Sequence, residues 1–331
     1  MINFYPFSGK NIILSPLDWG LGHASRMVPV ARYLNKKNNV VIVCGLCAMP
    51  FLRNELPDNE IIAINDRPIR YPKKKITVFT MLRWIPVIIR NALNEHRFVK
   101  RLIRQRKIDA VFSDNRYGLI FKNIDCFIFT HQIYPKLPKG FGLLERIVGF
   151  FHCNYLKLFT KCLVPDFEDG FSLSSELAGD RMPDNPKFLK IGILSRFLDY
   201  PSANIPKVYD YLVLISGQEN QRTEFENYLI NKYKDSDSKI LFVRGVPDNS
   251  PKLQVTNNIT FVNMLTTHAL AQAITSSKTV ICRSGYSTIL DLVALHASAI
   301  LIPTPGQTEQ EYLAGHLAKV GQSVFRQEKQ V

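Results

Sequence analysis

The chain has 331 residues, of which 46% are hydrophobic, an ordinary share for a soluble protein long enough to build two substantial cores. Lys and Arg number 42 against 28 Asp and Glu, and the formal net charge of +14 calls for an anionic partner: nucleic acid, a phosphorylated small molecule or an acidic membrane surface. No apolar run approaches the roughly 20 residues of a membrane span, the first ten residues lack the pattern of a secretory signal, and six cysteines, most of them in apolar runs, do not read as a disulfide framework.

In chain order, the apolar runs predict a strand over 11–15, a glycine-rich turn, a helix over 24–35 and a strand over 40–44. A strand near 60–64 follows, then a long helical region over 77–106 and strands over 110–113 and 126–130. Strands rich in Ile and Val that alternate with helices predict a parallel sheet covered on both faces. After Gly140 comes an aromatic, apolar stretch to Phe159, then strand-like segments over 161–164 and 187–193. Residues 196–210 hold Pro201 and Pro206 among polar side chains without a hydrophobic period, as a linker does. The β/α alternation then restarts, with strands over 211–215, 239–243, 259–262, 279–282 and 299–302. Helices over 221–234, 265–275, 287–295 and 310–320 separate them. The expected organisation is an N-terminal domain over 1–199, a linker over 200–210 and a C-terminal domain over 211–331, both domains doubly wound α/β.

Ligands of open parallel sheets sit at the carboxyl ends of strands, where helix N-termini offer unpaired N–H groups and a partial positive charge. Four turns there have suitable composition. The first runs from Asp18 to Arg26, with Gly20 and Gly22 allowing close backbone approach and His23 at the helix start. Imidazole titrates near neutrality, so His23 is a candidate general base, with helix capping as the alternative; Asp18 or Asp114 can orient it. The second turn is Ser216-Gly217-Gln218-Glu219. The third, Arg283-Ser284-Gly285-Tyr286-Ser287-Thr288, has small residues and hydroxyls that suit a phosphate, a nearby cation in Arg283, and Asp291 placed for ribose hydroxyls. The fourth, from Pro303 to Glu311, is dense in amides and carboxylates that suit sugar hydroxyls.

Together these turns resemble the GT-B glycosyltransferases, and within them the family 28 group typified by the peptidoglycan N-acetylglucosaminyltransferase. The resemblance covers nearly the whole chain and is most specific over 280–315. It implies that Ser284 and Gly285 bind the diphosphate, that Asp291 stands where the family has a ribose-binding glutamate, and that Gln310 and Glu311 fall on its sugar-reading Gln-Gln pair, with Glu replacing the second Gln. Gly20, Gly22 and His23 match its N-terminal glycine turn, which is shorter here. The implied reaction is inverting and needs neither metal nor cofactor. A hydroxyl acceptor, compatible with a lipid-linked one, attacks a nucleotide diphosphate sugar, with UDP the expected carrier. Such chains usually end in a helix that crosses back to the first domain. Here the sequence stops soon after 320–325, so that helix is expected to be short or absent.

Asp114, Asn115, Arg116 and His131 follow strands and are expected on the acceptor side, with turn stabilisation as the alternative. A cytoplasmic protein is expected; the basic segment 67–107, which includes Arg70 and Lys73 to Lys75, and the aromatic stretch 141–159 suit peripheral attachment at an acidic inner membrane face, with a solvated helix face and ordinary core as the alternative. Cys44 and Cys47 have redox spacing but stand at the end of an apolar strand, and are expected to be structural. Asp235-Ser236-Asp237 lies in a polar loop and is not expected to bind a metal. Two other functions fit the same turns: a nucleotide-sugar epimerase and a non-catalytic nucleotide-sugar binding protein. Nucleic-acid binding explains the charge but not the paired glycine turns, so no nucleic-acid partner is expected.

Overall fold

The computed structural model describes residues 7–67, 78–138, 140–201, 205–246, 249–251, 253, 258–321 and 324–330. These fall into two compact units that divide between Arg196 and Phe197. The first holds β1 (Asn11–Pro16), α1 (Leu21–Asn35), β2 (Asn39–Cys44), α2 (Met49–Glu55), β3 (Glu60–Ala63) and α3 (Val78–Arg106). It continues with β4 (Ala110–Asp114), β5 (Asp125–Phe129), α4 (Gly142–Leu156), β6 (Lys161–Val164) and β7 (Phe188–Lys190).

The seven strands form one parallel sheet in the order β3-β2-β1-β4-β5-β6-β7. Ile12 in β1 lies opposite Val40 in β2 on one side and Ala110 in β4 on the other. Alternation along the strands sends Ile13, Val111 and Ile128 into a core with Val99 and Leu102 of α3 and Leu156 of α4. The opposite face carries Phe112 stacked on Phe127, with ring centroids 4.4 Å apart. Burying each such side chain contributes about 1.5–3 kcal/mol, which is why strands covered on both faces read as unbroken Ile/Val/Phe runs. Backbone packs on backbone where α3 meets the loop after β4: a Cβ on Gly118 would lie 2.1 Å from the Ala92 carbonyl oxygen, and His96 Nδ1 lies 3.0 Å from the Gly118 oxygen.

The second unit holds β8 (Tyr209–Leu214), α5 (Gln221–Tyr233), β9 (Ile240–Val243), β10 (Ile259–Val262), α6 (Thr267–Thr275) and β11 (Ser277–Cys282). α7 (Tyr286–Ala294), β12 (Ala299–Leu301), α8 (Thr308–Val320) and β13 (Phe325–Gln327) complete it. Its six parallel strands run β10-β9-β8-β11-β12-β13 around a core that includes Val213, Phe225, Leu229, Phe242 and Ile281.

Three elements lie beyond the sequence reading. α4 forms inside the apolar stretch 141–159. Its buried stripe is only Gly149, Cys153 and Leu156, so apolar residues on the exposed side hide the helical period. α2 and the edge strand β13 are too short to give a period. β8 also begins at Tyr209, inside the expected linker, because Tyr209 pairs with Ser277 of β11; linker residues 202–204 lie outside the described residues.

Candidate active site

In the first sheet the strand order reverses direction between β1 and β4, the point at whose carboxyl ends open α/β sheets generally hold their ligands. Pro16 at the end of β1 lies opposite Asp114 at the end of β4, and Leu17 N–H donates to the Asp114 carbonyl at 3.0 Å. The turn after β1 therefore arrives beside Asp114. Gly20, at φ 115° and ψ 166°, takes a conformation open essentially to glycine alone, and Gly22 lies in the first turn of α1.

His23, also in that turn, places Nδ1 3.1 Å from Asp114 Oδ2. One turn further, Arg26 donates to both Asp114 oxygens, Nε reaching Oδ2 at 2.7 Å and Nη2 reaching Oδ1. Arg26 Nη1 lies 3.2 Å from Nδ1 of His131, which follows β5 and is buried. Asp114 is fully buried, which alone would raise its carboxyl pKa. The Arg26 guanidinium and then His23 outweigh burial and hold it down at about 2. The site thus contains a fixed carboxylate behind an imidazole whose side chain is 18% exposed.

Asp18 does not join this cluster. It accepts from the N–H groups of Cys47 at 3.3 Å and Ala48 at 3.1 Å, and a Cβ on Gly45 would lie 2.0 Å from its Oδ2. Of the two carboxylates that could orient His23, Asp114 is the one in contact. Cys44 and Cys47 are free thiols; burial first, and Asp18 second, push Cys44 up to about 12, which keeps it unreactive.

Asn115 follows Asp114 in the left-handed region, at φ 54°, with its Oδ1 enclosed and without a hydrogen-bond partner. Arg116 corrects an expectation. Instead of facing a ligand it is buried, donating to the Pro16 carbonyl at 2.7 Å, Glu95 at 2.8 Å and Asp66 at 2.7 Å, so it anchors the strand end beneath the glycine turn.

The second sheet reverses between β8 and β11, and the turns after these strands again flank one point. Ser216 and Gly217 are exposed there, Gly217 at φ 114°. None of α5, α7 and α8 has a side-chain hydrogen bond at its N-cap, and their N-termini carry the positive ends of the helix dipoles. Gly285 caps α7, and a Cβ on it would meet nothing nearer than Thr288 Oγ1 at 3.9 Å. The buried Ser284 hydroxyl donates to the Gln310 carbonyl at 2.8 Å. Gln310 Oε1 accepts from Thr304 N–H and Glu311 Oε1 from Gly306 N–H, both at 2.9 Å, so these side chains shape the turn after β12. Gln307 Nε2 donates to Gln221 Oε1 at 3.2 Å and ties that turn to α5. Asp291 stands half-buried on the second turn of α7.

Arg283 is a second correction. Its guanidinium lies 3.7 Å from the Phe225 ring centroid and donates to the carbonyls of Ile302 at 3.1 Å and Pro303 at 3.0 Å and to Gln330 at 2.7 Å. Burial lowers its pKa to about 10. It supports the loop from beneath instead of presenting charge to a ligand. Sequence reasoning missed Arg26 as a site residue, although its position three residues after His23 on one helix face was the available signal.

Residues 214–331 match the model of the glycosyltransferase family 28 C-terminal domain. The UDP-N-acetylglucosamine–N-acetylmuramyl-(pentapeptide) pyrophosphoryl-undecaprenol N-acetylglucosamine transferase of Ruminiclostridium cellulolyticum is 22% identical over 92% of this chain and 82% of its own. The Prochlorococcus marinus protein of that name is 24% identical over 78% and 67%. This chain has the fold of the GT-B glycosyltransferases and carries a glycosyltransferase family 28 C-terminal domain. Among solved structures, the glycosyltransferase resembles Acinetobacter baumannii MurG with a TM-score of 0.54 at 15% identity, over 97% of this chain and 86% of that one. The kitacinnamycin glycotransferase gives 0.64 at 14% identity, over 97% and 86%. A UDP-glucosyltransferase of Polygonum tinctorium gives 0.63 at 16%, over 95% and 84%.

Proposed function

We propose that the enzyme transfers a sugar from a uridine diphosphate sugar to a hydroxyl acceptor, with inversion and without a metal. The first unit is the acceptor domain and the second the donor domain. The observation that carries this reading is the His23–Asp114 contact of 3.1 Å at the strand reversal of the first sheet. With Nδ1–H donated to Asp114, His23 presents an unprotonated Nε2 to the acceptor hydroxyl. As that proton moves to Nε2, Asp114, already a carboxylate, steadies the imidazolium. The acceptor oxygen bonds to the anomeric carbon on the face opposite the nucleotide. The bond to the leaving oxygen breaks and its electron pair departs with the diphosphate. The N–H groups opening α7, beside Ser284 and Gly285, meet the developing charge. Ser216 and Gly217 flank the same donor, Asp291 takes ribose hydroxyls, and Gln310 and Glu311 read the sugar after exchanging their present bonds to the turn backbone. Asp235 and Asp237 lie between α5 and β9, at the opposite strand ends, and take no part.

A lipid-linked acceptor at the cytoplasmic face of an anionic membrane fits the first unit's surface. α4 exposes Phe150 at 64% and Phe151 at 67%, with Leu143 and Ile147 also outward, and Leu158 follows it. Arg146, Lys157 and Arg181 line a pocket beside that helix. α3 exposes Leu82, Ile85, Ile89 and Leu93 among Arg83, Arg90 and Arg97. Exposed apolar side chains mixed with cations suit headgroups and acyl chains together. Arg70 and Lys73 to Lys75 of the expected basic segment lie outside the described residues, and no helix among the described residues is long and apolar enough to cross a membrane.

The test supplies UDP-sugars with prenyl-diphosphate-linked sugars in anionic or neutral vesicles and follows UDP release. Acceptor-dependent release, faster on anionic vesicles, is expected. Sugar epimerised without acceptor, or UDP-sugar bound without turnover, would reject the reading.

A further inference from the structure

Arg26 stands at the centre of the first-unit site without being its base. It is buried, and it contacts Asp114, His23 and His131, its Nη2 lying 3.0 Å from His23 Nδ1. A guanidinium can only donate, so the two imidazole contacts differ in meaning. His131 Nδ1 must be the lone-pair nitrogen of its ring. His23 Nδ1 has two choices: it donates a proton to Asp114 Oδ2 or accepts one from Arg26. Only the first leaves Nε2 free to take a proton from an acceptor.

We propose that Arg26 is a positioning residue for His23, fixing the Asp114 carboxylate where it receives Nδ1–H and cancelling the negative charge that would otherwise favour the imidazolium. The charged groups facing His23 are Asp114 from β4 and Arg26 from its own helix. His131, after β5, holds the far end of the guanidinium, and Tyr117 feels the charge of both Asp114 and Arg26. The Arg26–Asp114 pair sums to zero. Without Arg26 the carboxylate acts on His23 alone, the imidazolium is favoured, and the unprotonated base is available only at higher pH. Lysine keeps the charge but replaces a two-point fork with one donor centre, so it restores the charge balance better than the geometry.

This inference rests on the transferase reading for its kinetic readout, so the experiment adds one that needs no substrate. Transfer is measured against pH for wild type, Arg26→Lys and Arg26→Gln, and the ring nitrogens of His23 are observed in ¹⁵N-histidine-labelled protein, assigned by their loss in His23→Gln. In Arg26→Gln the acid limb of kcat/KM is expected to move up by about one pH unit. Its kcat should fall by about tenfold or more, within the roughly 10²–10⁴-fold that a placed base supplies, with donor KM unchanged. Arg26→Lys should return the limb toward wild type while the rate stays reduced. The wild-type spectrum should show Nδ1 protonated and Nε2 free. A proton on Nε2 in wild type, or Arg26 variants slowed with an unmoved acid limb, overturns the proposal and leaves Arg26 a structural residue. If Arg26→Gln does not fold, the Lys variant and the wild-type tautomer still decide. A wild-type protein inert toward every acceptor would count against the transferase reading, while the tautomer measurement would still test the role of Arg26.

Discussion

The two strand reversals have the same topology but are equipped differently. At the first, between β1 and β4, side chains meet: partly exposed His23 joins buried Arg26, Asp114 and His131 in a polar cluster where the Arg26 and Asp114 charges balance. At the second, between β8 and β11, the donor contacts proposed above are mainly backbone. α5, α7 and α8 open without side-chain caps, while Ser284, Arg283, Gln310 and Glu311 bond the loops themselves. Proton transfer needs a titratable atom at a fixed point, whereas a diphosphate needs several diffuse donors and an unobstructed approach. A change in side-chain chemistry should therefore damage the first site and leave the second intact, and a change in backbone access should do the reverse.

The largest expected effect is on rate. His23→Gln should lower transfer by about 10²–10⁴-fold, measured by acceptor-dependent UDP release, with UDP affinity unchanged. Next comes stability beneath the first site. Arg116→Met strands Glu95 and Asp66 without their buried counter-ion and should cost about 3–5 kcal/mol in urea unfolding.

Asp114 gives a smaller, pH-dependent effect. Its folded pKa of about 2 lies below the unfolded carboxylate value, so its contribution is present above about pH 4. That contribution, about 2 kcal/mol, is lost as pH falls from there toward 2. Unfolding followed across this window should show that loss in wild type and its absence in Asp114→Asn. The smallest effect sharpens the contrast from the other side. Gly285 has an ordinary φ of −70° and room for a methyl group. Gly285→Ala should thus leave stability within about 0.5 kcal/mol of wild type. If the glycine is there for a phosphate to approach, UDP affinity should still drop by about tenfold, close to 1.4 kcal/mol.

The sheets were legible because parallel strands buried on both faces announce themselves, as Ile12 to Leu14 and Val40 to Val43 do. α4 was not, because its exposed side is as apolar as its buried stripe. His23 could be read from its glycine turn, which is local information. The choice of Asp114 over Asp18 could not, since it depends on a contact across 91 residues created by the pairing of β1 with β4. Arg116 and Arg283 were misplaced for a related reason. A basic residue just after a strand looks the same in sequence whether it faces solvent or turns beneath its own loop, and here both turn inward onto carbonyls.

The division of labour between the two sites is tested most directly by calorimetric titration of UDP, without added metal, into wild type, His23→Gln and Gly285→Ala. Saturable binding to wild type, kept in His23→Gln and weakened in Gly285→Ala, is the predicted result. No binding to wild type, or binding lost with His23 and indifferent to Gly285, would contradict it.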